Sequence, residues 1–365
     1  MAITKPVIDI VFKTLAKTFV ERSSNKKVVL IIKDDTSKTF NKKVYTQKGD
    51  LDTDSALYAA DNLQALKDCF KKSINQLTVI RMDATDGVIA DALALAGSCE
   101  TQSYIGVYSS TVADHTALSS WIKTQEDSKK YYNAICYNLA TAADSRHVIN
   151  FTNPKVKFKD STRGEVTGDK YIPSLLSSIA GRNVETDGVT YDIMDDLESV
   201  TEVADVDTAT TNGQLVLFND GDKVRILVGI NNKTTVGTDE IEDMKLIEYS
   251  EAMDMIYYDV YNTYKDSYLS KFRNSNDNRE IFVDAVNTYY TNLEDAEILN
   301  PDFDNKVEQN INAMRNYLKQ NTSLDVDNMT DAQVKTNNFK RNIFTSSNLE
   351  ILESMTNLYM ENILN

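Results

Sequence analysis

Between Val28 and Phe151, short β-branched and aromatic runs alternate with stretches of helical spacing. The runs Val28–Ile32, Leu77–Arg81, Tyr104–Tyr108, Tyr131–Tyr137 and His147–Phe151 predict strands. Of the stretches between them, Asp54–Ser73 carries Leu57, Leu63, Leu66 and Phe70 at helical intervals, while Asp86–Ala96 and Ala113–Thr124 predict shorter helices. Asp54 and Asp86 stand at expected N-caps. Strand and helix in alternation imply a doubly wound α/β domain with a mainly parallel sheet.

After Pro154 the alternation weakens. A helix is expected over Tyr171–Ala180, ended by Gly181, and Leu215–Phe218 and Lys223–Val228 flank the hairpin loop Asn219-Asp220-Gly221-Asp222. From Asp239 onward Tyr249, Met253, Ile256, Val260 and Tyr264 step by three or four, and Asp239 with Glu242 suggests a capping pair. This pattern predicts a helix of about thirty residues, ~45 Å long. Two more helices are expected over Asp277–Leu293 and Asn305–Leu318. Short apolar segments, Val7–Phe12 and Leu358–Leu364, lie at the two ends with no partner nearby in sequence.

The 365 residues suffice for two or three domains, and the net charge of -16 argues against nucleic acid and anionic membranes. The N-terminal stretch lacks the features of a signal peptide, and no apolar run is long enough for a membrane span, so synthesis and folding in the cytoplasm are expected. Cys69, Cys99 and Cys136 are odd in number and widely spaced, as buried apolar side chains rather than a disulfide framework or metal site. Only two histidines occur, His115 and His147, neither in a His-Glu-x-x-His motif. Gly-x-Ser-x-Gly, Gly-x-Gly-x-x-Gly and phosphate-loop patterns are missing. The acidic clusters at 205–207, 302–304 and 325–327 lack the Gly and Glu of a calcium loop and read as solvated loops.

One ordered set of segments is more informative. Tyr171-Ile172-Pro173 with Ile179-Ala180-Gly181 follows the strand His147–Phe151. Asn212-Gly213 then leads through Phe218 to Lys223–Ile226, Gly229-Ile230-Asn231 and Thr234-Thr235. The set continues through Ala252–Ile256 and Phe272–Arg279, which includes Asn278, and ends in Leu352–Met360, which includes Met355. In order and spacing, over roughly residues 147–365, this resembles the contractile tail sheath proteins of phages and of R-type phage-tail-like bacteriocins. The first half resembles them in architecture only.

The resemblance implies an α/β, doubly wound core of subtilisin-like layout, followed by a mainly helical C-terminal domain whose small sheet is completed by exchanged terminal arms. The implied divisions are an N-terminal arm at 1–25, the core at 26–237, the helical domain at 238–347 and a closing segment with arm at 348–365. Arm contacts between subunits would fall on Val7, Ile8, Ile10 and Phe12, and on Leu358, Tyr359, Met360, Ile363 and Leu364. The family-like positions are Tyr171, Pro173, Gly181, Gly213, Phe218, Gly229, Asn231, Thr235, Asn278 and Met355. The chain would be a structural subunit without cofactor, metal or catalytic residue, and the His-Gly-Thr and Gly-Thr-Ser strings of a subtilase do not occur. Its expected partners are copies of itself, an inner tail tube protein, and baseplate and tail terminator proteins, with assembly in the bacterial cytoplasm and residence in a virion tail or released particle. The rival reading is an α/β nucleotide-binding or hydrolytic enzyme with Asp34, Asp35 and Asp83 near the carboxyl edge of the sheet.

Overall fold

The computed structural model describes residues 26–108 and 111–363. These form two compact units, one of residues 26–254 with 353–363 and one of residues 255–352.

The first unit is built on strands β1 (Lys27–Lys33), β2 (Lys42–Tyr45), β3 (Gln76–Met82), β4 (Tyr104–Tyr108), β5 (Asn133–Tyr137), β6 (Val148–Phe151), β7 (Lys155–Phe158), β8 (Glu165–Thr167), β9 (Leu197–Val200) and β10 (Gln214–Leu215). Its main sheet has the order β10-β6-β5-β4-β1-β3-β2, parallel throughout except for the edge pair β2–β3. From β3 the chain crosses β1 to β4, reversing the direction of winding.

Helices cover both faces. Alternate residues Val28, Leu30 and Ile32 of β1 pack toward α2 (Ala60–Asp68) and α5 (Ile172–Gly181), which follow the short α1 (Lys48–Thr53) and bracket α3 (Ile89–Ala96) and α4 (Val112–Asp127) in sequence. Val29 and Ile31 pack toward α3 and α4. A strand covered on both sides has no polar face, hence the unbroken apolar run of β1. The predicted strands are all present, but the helix starts differ. α2 begins after Ala59 and α3 after Val88, so neither Asp54 nor Asp86 is the N-cap of an α-helix, whereas Thr111 caps α4 through a reciprocal pair with Asp114. A three-stranded sheet β8-β7-β9 was not predicted. The hairpin β11 (Leu217–Asn219) and β12 (Val224–Ile226) follows α6 (Val206–Thr211), with its turn at residues 220–223.

The long helix is shorter than its periodicity implied. α7 runs from Ile247 to Thr263, 17 residues or ~26 Å, and continues into a π-helical turn at Tyr264–Tyr268. It does not start at Asp239 because Asn231 takes the carbonyls of that approach. Its backbone N–H donates to Lys245 O at 2.8 Å and its side-chain amide to Met244 O at 2.8 Å.

In the second unit, α8 (Asn276–Asp295) follows prediction and buries Phe282, Ala285, Tyr289 and Leu293. The helix expected over Asn305–Leu318 is instead strand β13 (Lys306–Gln309) followed by α9 (Ile311–Asn321). Asn287 of α8 binds both the N–H (2.8 Å) and the carbonyl (3.1 Å) of Val307, holding it extended. α10 (Asp331–Lys335) and strand β14 (Thr345–Asn348) complete the unit around Met314, Leu318, Val326, Val334 and Phe339. Arg279 is fully buried, donating to Gln309 Oε1 (3.0 Å), Asn274 Oδ1 (2.7 Å) and Lys335 O.

Gly106, mid-strand in β4, is where α5 presses closest, since an added Cβ would stand 2.7 Å from Leu176 Cδ1 and 2.8 Å from Ile172 Cγ2. Gly106→Val is expected to cost about 1–3 kcal/mol by forcing α5 off the sheet. Urea unfolding of the purified chain measures this, and an unchanged midpoint would refute the account.

Candidate assembly surfaces

β13 and β14 pair antiparallel, Lys306 opposite Asn348 through Gln309 opposite Thr345, in a two-stranded sheet. The outer edge of β13 is closed by Asn287. No strand among the described residues pairs with the far edge of β14, whose sequence Thr-Ser-Ser-Asn is exposed and carries neither charge nor proline. Edges are usually blunted by such residues, so this one is an open template for another strand.

Beyond Ile351, which bridges to Leu299, the chain runs through 352–363 with neither helix nor strand. Its root is fixed at Ser354, which donates its hydroxyl to Glu248 Oε2 at 2.8 Å and its N–H to Oε1 at 3.3 Å, beside the bare Cα of Gly188. Past that point Met355, Leu358 (82% exposed), Tyr359 (93%), Met360 and Ile363 are spread in solvent. Apolar side chains at this exposure have no packing role in their own subunit, and a contiguous set marks an interaction surface. Leu364 and the N-terminal candidates Val7, Ile8, Ile10 and Phe12 lie outside the described residues.

The other family-like positions support the backbone. Tyr171 is buried with its hydroxyl donating to Asp196 at 2.6 Å, Pro173 occupies the first turn of α5, and Gly181 ends that helix against Lys72. Gly213 adopts φ +66 against Asn231 and Asn232, a conformation that favours glycine. Phe218 packs edge-on against Tyr191, and Gly229 lies against Val189. Thr235 binds Asp144, and Asn278 donates to Arg273 O at 2.7 Å. Met355 alone among them is fully exposed.

The polar groups that could have served catalysis are engaged structurally. Asp34, at the end of β1, accepts from the N–H groups of Thr36 and Ala59 and from the Asn62 amide, each at 2.8 Å. Burial opposes its charge, yet these hydrogen bonds hold its pKa below the usual carboxylate value. Asp35 and Asp83 share Lys38 at the surface. His115 is buried, and loss of solvent pushes its pKa down to about 4. The thiols of Cys69 and Cys136 are buried and pushed up by desolvation. Among the described residues no group of three or more His, Cys, Asp or Glu could hold a metal, and no helix is long and apolar enough to cross a membrane.

His147 sits between Glu126 at Nδ1 and Asp254 at Nε2 (2.9 Å), stacked on Tyr131, with Arg146 donating to the same Asp254 at 2.8 Å. With both ring nitrogens given to carboxylates, the imidazole has no lone pair with which to accept a proton from a nucleophile, so this is not a catalytic triad. Burial disfavours the charged ring, but the charge of Asp254 and the hydrogen bonds to Asp254 and Glu126 outweigh it, and the His147 pKa is raised.

Residues 239–365, which contain both the open edge and the exposed segment, match the family of the phage tail sheath C-terminal domain. This match bears out, for the C-terminal third, the resemblance to tail sheath proteins found in the sequence. Across 361 residues, 96% of this chain and 97% of its relative, the chain is 29% identical to the tail sheath protein of Clostridium phage phiCD119. Its fold is that of the anti-feeding prophage helical sheath in its contracted state (TM-score 0.71, 12% identity, 99% of this chain and 100% of that one). It is also that of a sheath tail protein from Listeria innocua (TM-score 0.65, 14% identity, 92% and 97%).

A raised folded-state pKa means that the His147 ion pairs stabilise fully below about pH 6.5 and lose that contribution as pH rises through the folded-state value. The excess in melting temperature of the wild type over His147→Gln is therefore expected to shrink between about pH 6 and about pH 9. A difference that stays constant or grows over that range would contradict a charged His147.

Proposed function

We propose that this chain is the sheath subunit that polymerises into a helical contractile sleeve around an inner tube, and that the sleeve's shortening drives the tube through the target envelope. The observation that carries the proposal is the coexistence, among the described residues, of an exposed apolar segment and a sheet edge with no strand beside it. Strand addition fits both: the guest satisfies backbone groups along the edge while its alternate side chains fill pockets.

The guests are the terminal arms, Val7–Phe12 and Leu358–Leu364, and the host is the outer edge of β14 in a neighbouring copy. Each backbone hydrogen bond contributes only about 0.5–1.5 kcal/mol net, but the linkage recurs at every subunit. The doubly wound core, of subtilisin-like layout, acts as the rigid block, and the chain flanking each arm as the hinge. The extended sleeve is metastable, so its release needs no nucleotide and no catalytic group. Tube, baseplate and terminator proteins are the partners, and assembly takes place in the bacterial cytoplasm.

Negative-stain electron microscopy of the concentrated full chain is expected to show tubes. A version ending after Ser354 and a version lacking residues 1–14 should each stay folded by circular dichroism and form none. Tubes from both truncations would overturn the arm linkage, and discrete particles from the full chain at every concentration would overturn the sleeve.

A further inference from the structure

In the unit of residues 255–352, charge is sorted to the two ends of α8. This helix has 20 residues, so its ends stand ~30 Å apart. Just before it lie Lys271 and Arg273. Asn274 donates from its side-chain amide to Lys340 O (3.2 Å) and Asn342 O (2.8 Å), which brings Lys340 and Arg341 to the same end. All four cations are exposed, with Asp266, Asp277 and Glu280 as nearby anions, the last paired with Lys335 at 3.2 Å.

The far end is acidic. Glu294, Asp295 and Glu297 close α8, and a knot of asparagines gathers three more carboxylates there. Asn305 donates to Glu294 Oε1 (2.8 Å) and Asn300 O (2.7 Å), Asn300 donates to Glu350 Oε1 (3.2 Å), and the Glu350 N–H donates to Asn305 Oδ1 (2.9 Å). Asp302 and Asp304 lie in the same loop, and Lys306 is the cation among them, paired with Asp304 at 2.7 Å. No basic residue stands in the last turn of α8, so Glu294 and Asp295 oppose the partial negative charge of the helix C-terminus. This arrangement weakens the isolated helix.

We propose that these ends are the two halves of one heterologous contact, in which the basic end of one copy, at Arg273, Lys340 and Arg341, docks on the acidic end of the next, at Asp295, Glu297 and Asp302. The proposal rests on the sleeve reading and deepens it by naming the surface that orients successive copies. Charge complementarity identifies the occupant: in a chain of net charge -16 the basic end is a local exception, and the surface it fits is present on every other copy. A contact between two different patches of the same chain propagates head to tail, as an open helical filament requires.

The test uses the full chain and two triple variants, Arg273→Glu with Lys340→Glu and Arg341→Glu, and Asp295→Lys with Glu297→Lys and Asp302→Lys. Each variant alone should need about tenfold more protein than wild type to form tubes at low salt. Their equimolar mixture, in which the altered ends are again complementary, should return to the wild-type threshold. The wild-type threshold itself should rise between about 0.05 and 0.5 M salt. Circular dichroism checks that each variant folds, and neutral versions with Gln and Asn at the same positions should keep the same ordering with a smaller effect. Variants that assemble at the wild-type threshold, or a mixture that fails to recover, would overturn the contact while leaving the sleeve standing. Wild type that forms no tubes at any salt would overturn both.

Discussion

Backbone groups that leave water must find partners, and the way each strand edge meets that demand organises this molecule. In the main sheet the five inner strands pair on both sides and helices bury both faces. In the small sheet the outer edge of β13 is closed by one side chain: Asn287 reproduces, with its own amide, the pair of hydrogen bonds a neighbouring strand would have made to Val307. Among the described residues, the outer edge of β14 has no such substitute. The proposed strand addition rests on this contrast between a closed edge and an open one.

Buried ionic contacts, beside the apolar packing, join α7 to the body. The first turns of α7 present Glu251 and Asp254 one turn apart. Glu251 meets the buried Arg182 and the hydroxyl of Tyr104, while Asp254 meets His147 and Arg146. Removing one partner of such a pair would leave the other charge buried and alone, which costs far more than an exposed pair contributes. These contacts therefore fix the start of α7 in angle and in register.

Much of the architecture was legible because both-face burial writes itself into the sequence as an unbroken apolar run, as in Val28–Ile32 of β1. What could not be read depended on side chains that claim backbone groups from a distance. Asn231 cuts α7 short, and Asn287 turns Val307 from an expected helix position into a strand. β14, with the sequence Thr-Ser-Ser-Asn, has no apolar periodicity at all, since a polar edge strand buries nothing in its own subunit. The exposed C-terminal segment was legible for the opposite reason, being apolar with no partner in sequence. The ionic anchor of α7 joins residues more than a hundred positions apart and left no local signal.

In the proposed sleeve, the two kinds of surface divide the work of assembly between them. A strand laid on an open edge gives strength and tolerates rotation about the arm, but main-chain hydrogen bonds do not by themselves choose one orientation of the block behind it. Charged ends some 30 Å apart have the opposite properties: each pair is weak and screened within about a nanometre, yet a misplaced copy sets like charges together. Linkage through arms and orientation through charge are thus separable. A sleeve built this way can change the angle between its blocks while every covalent chain still holds its neighbour.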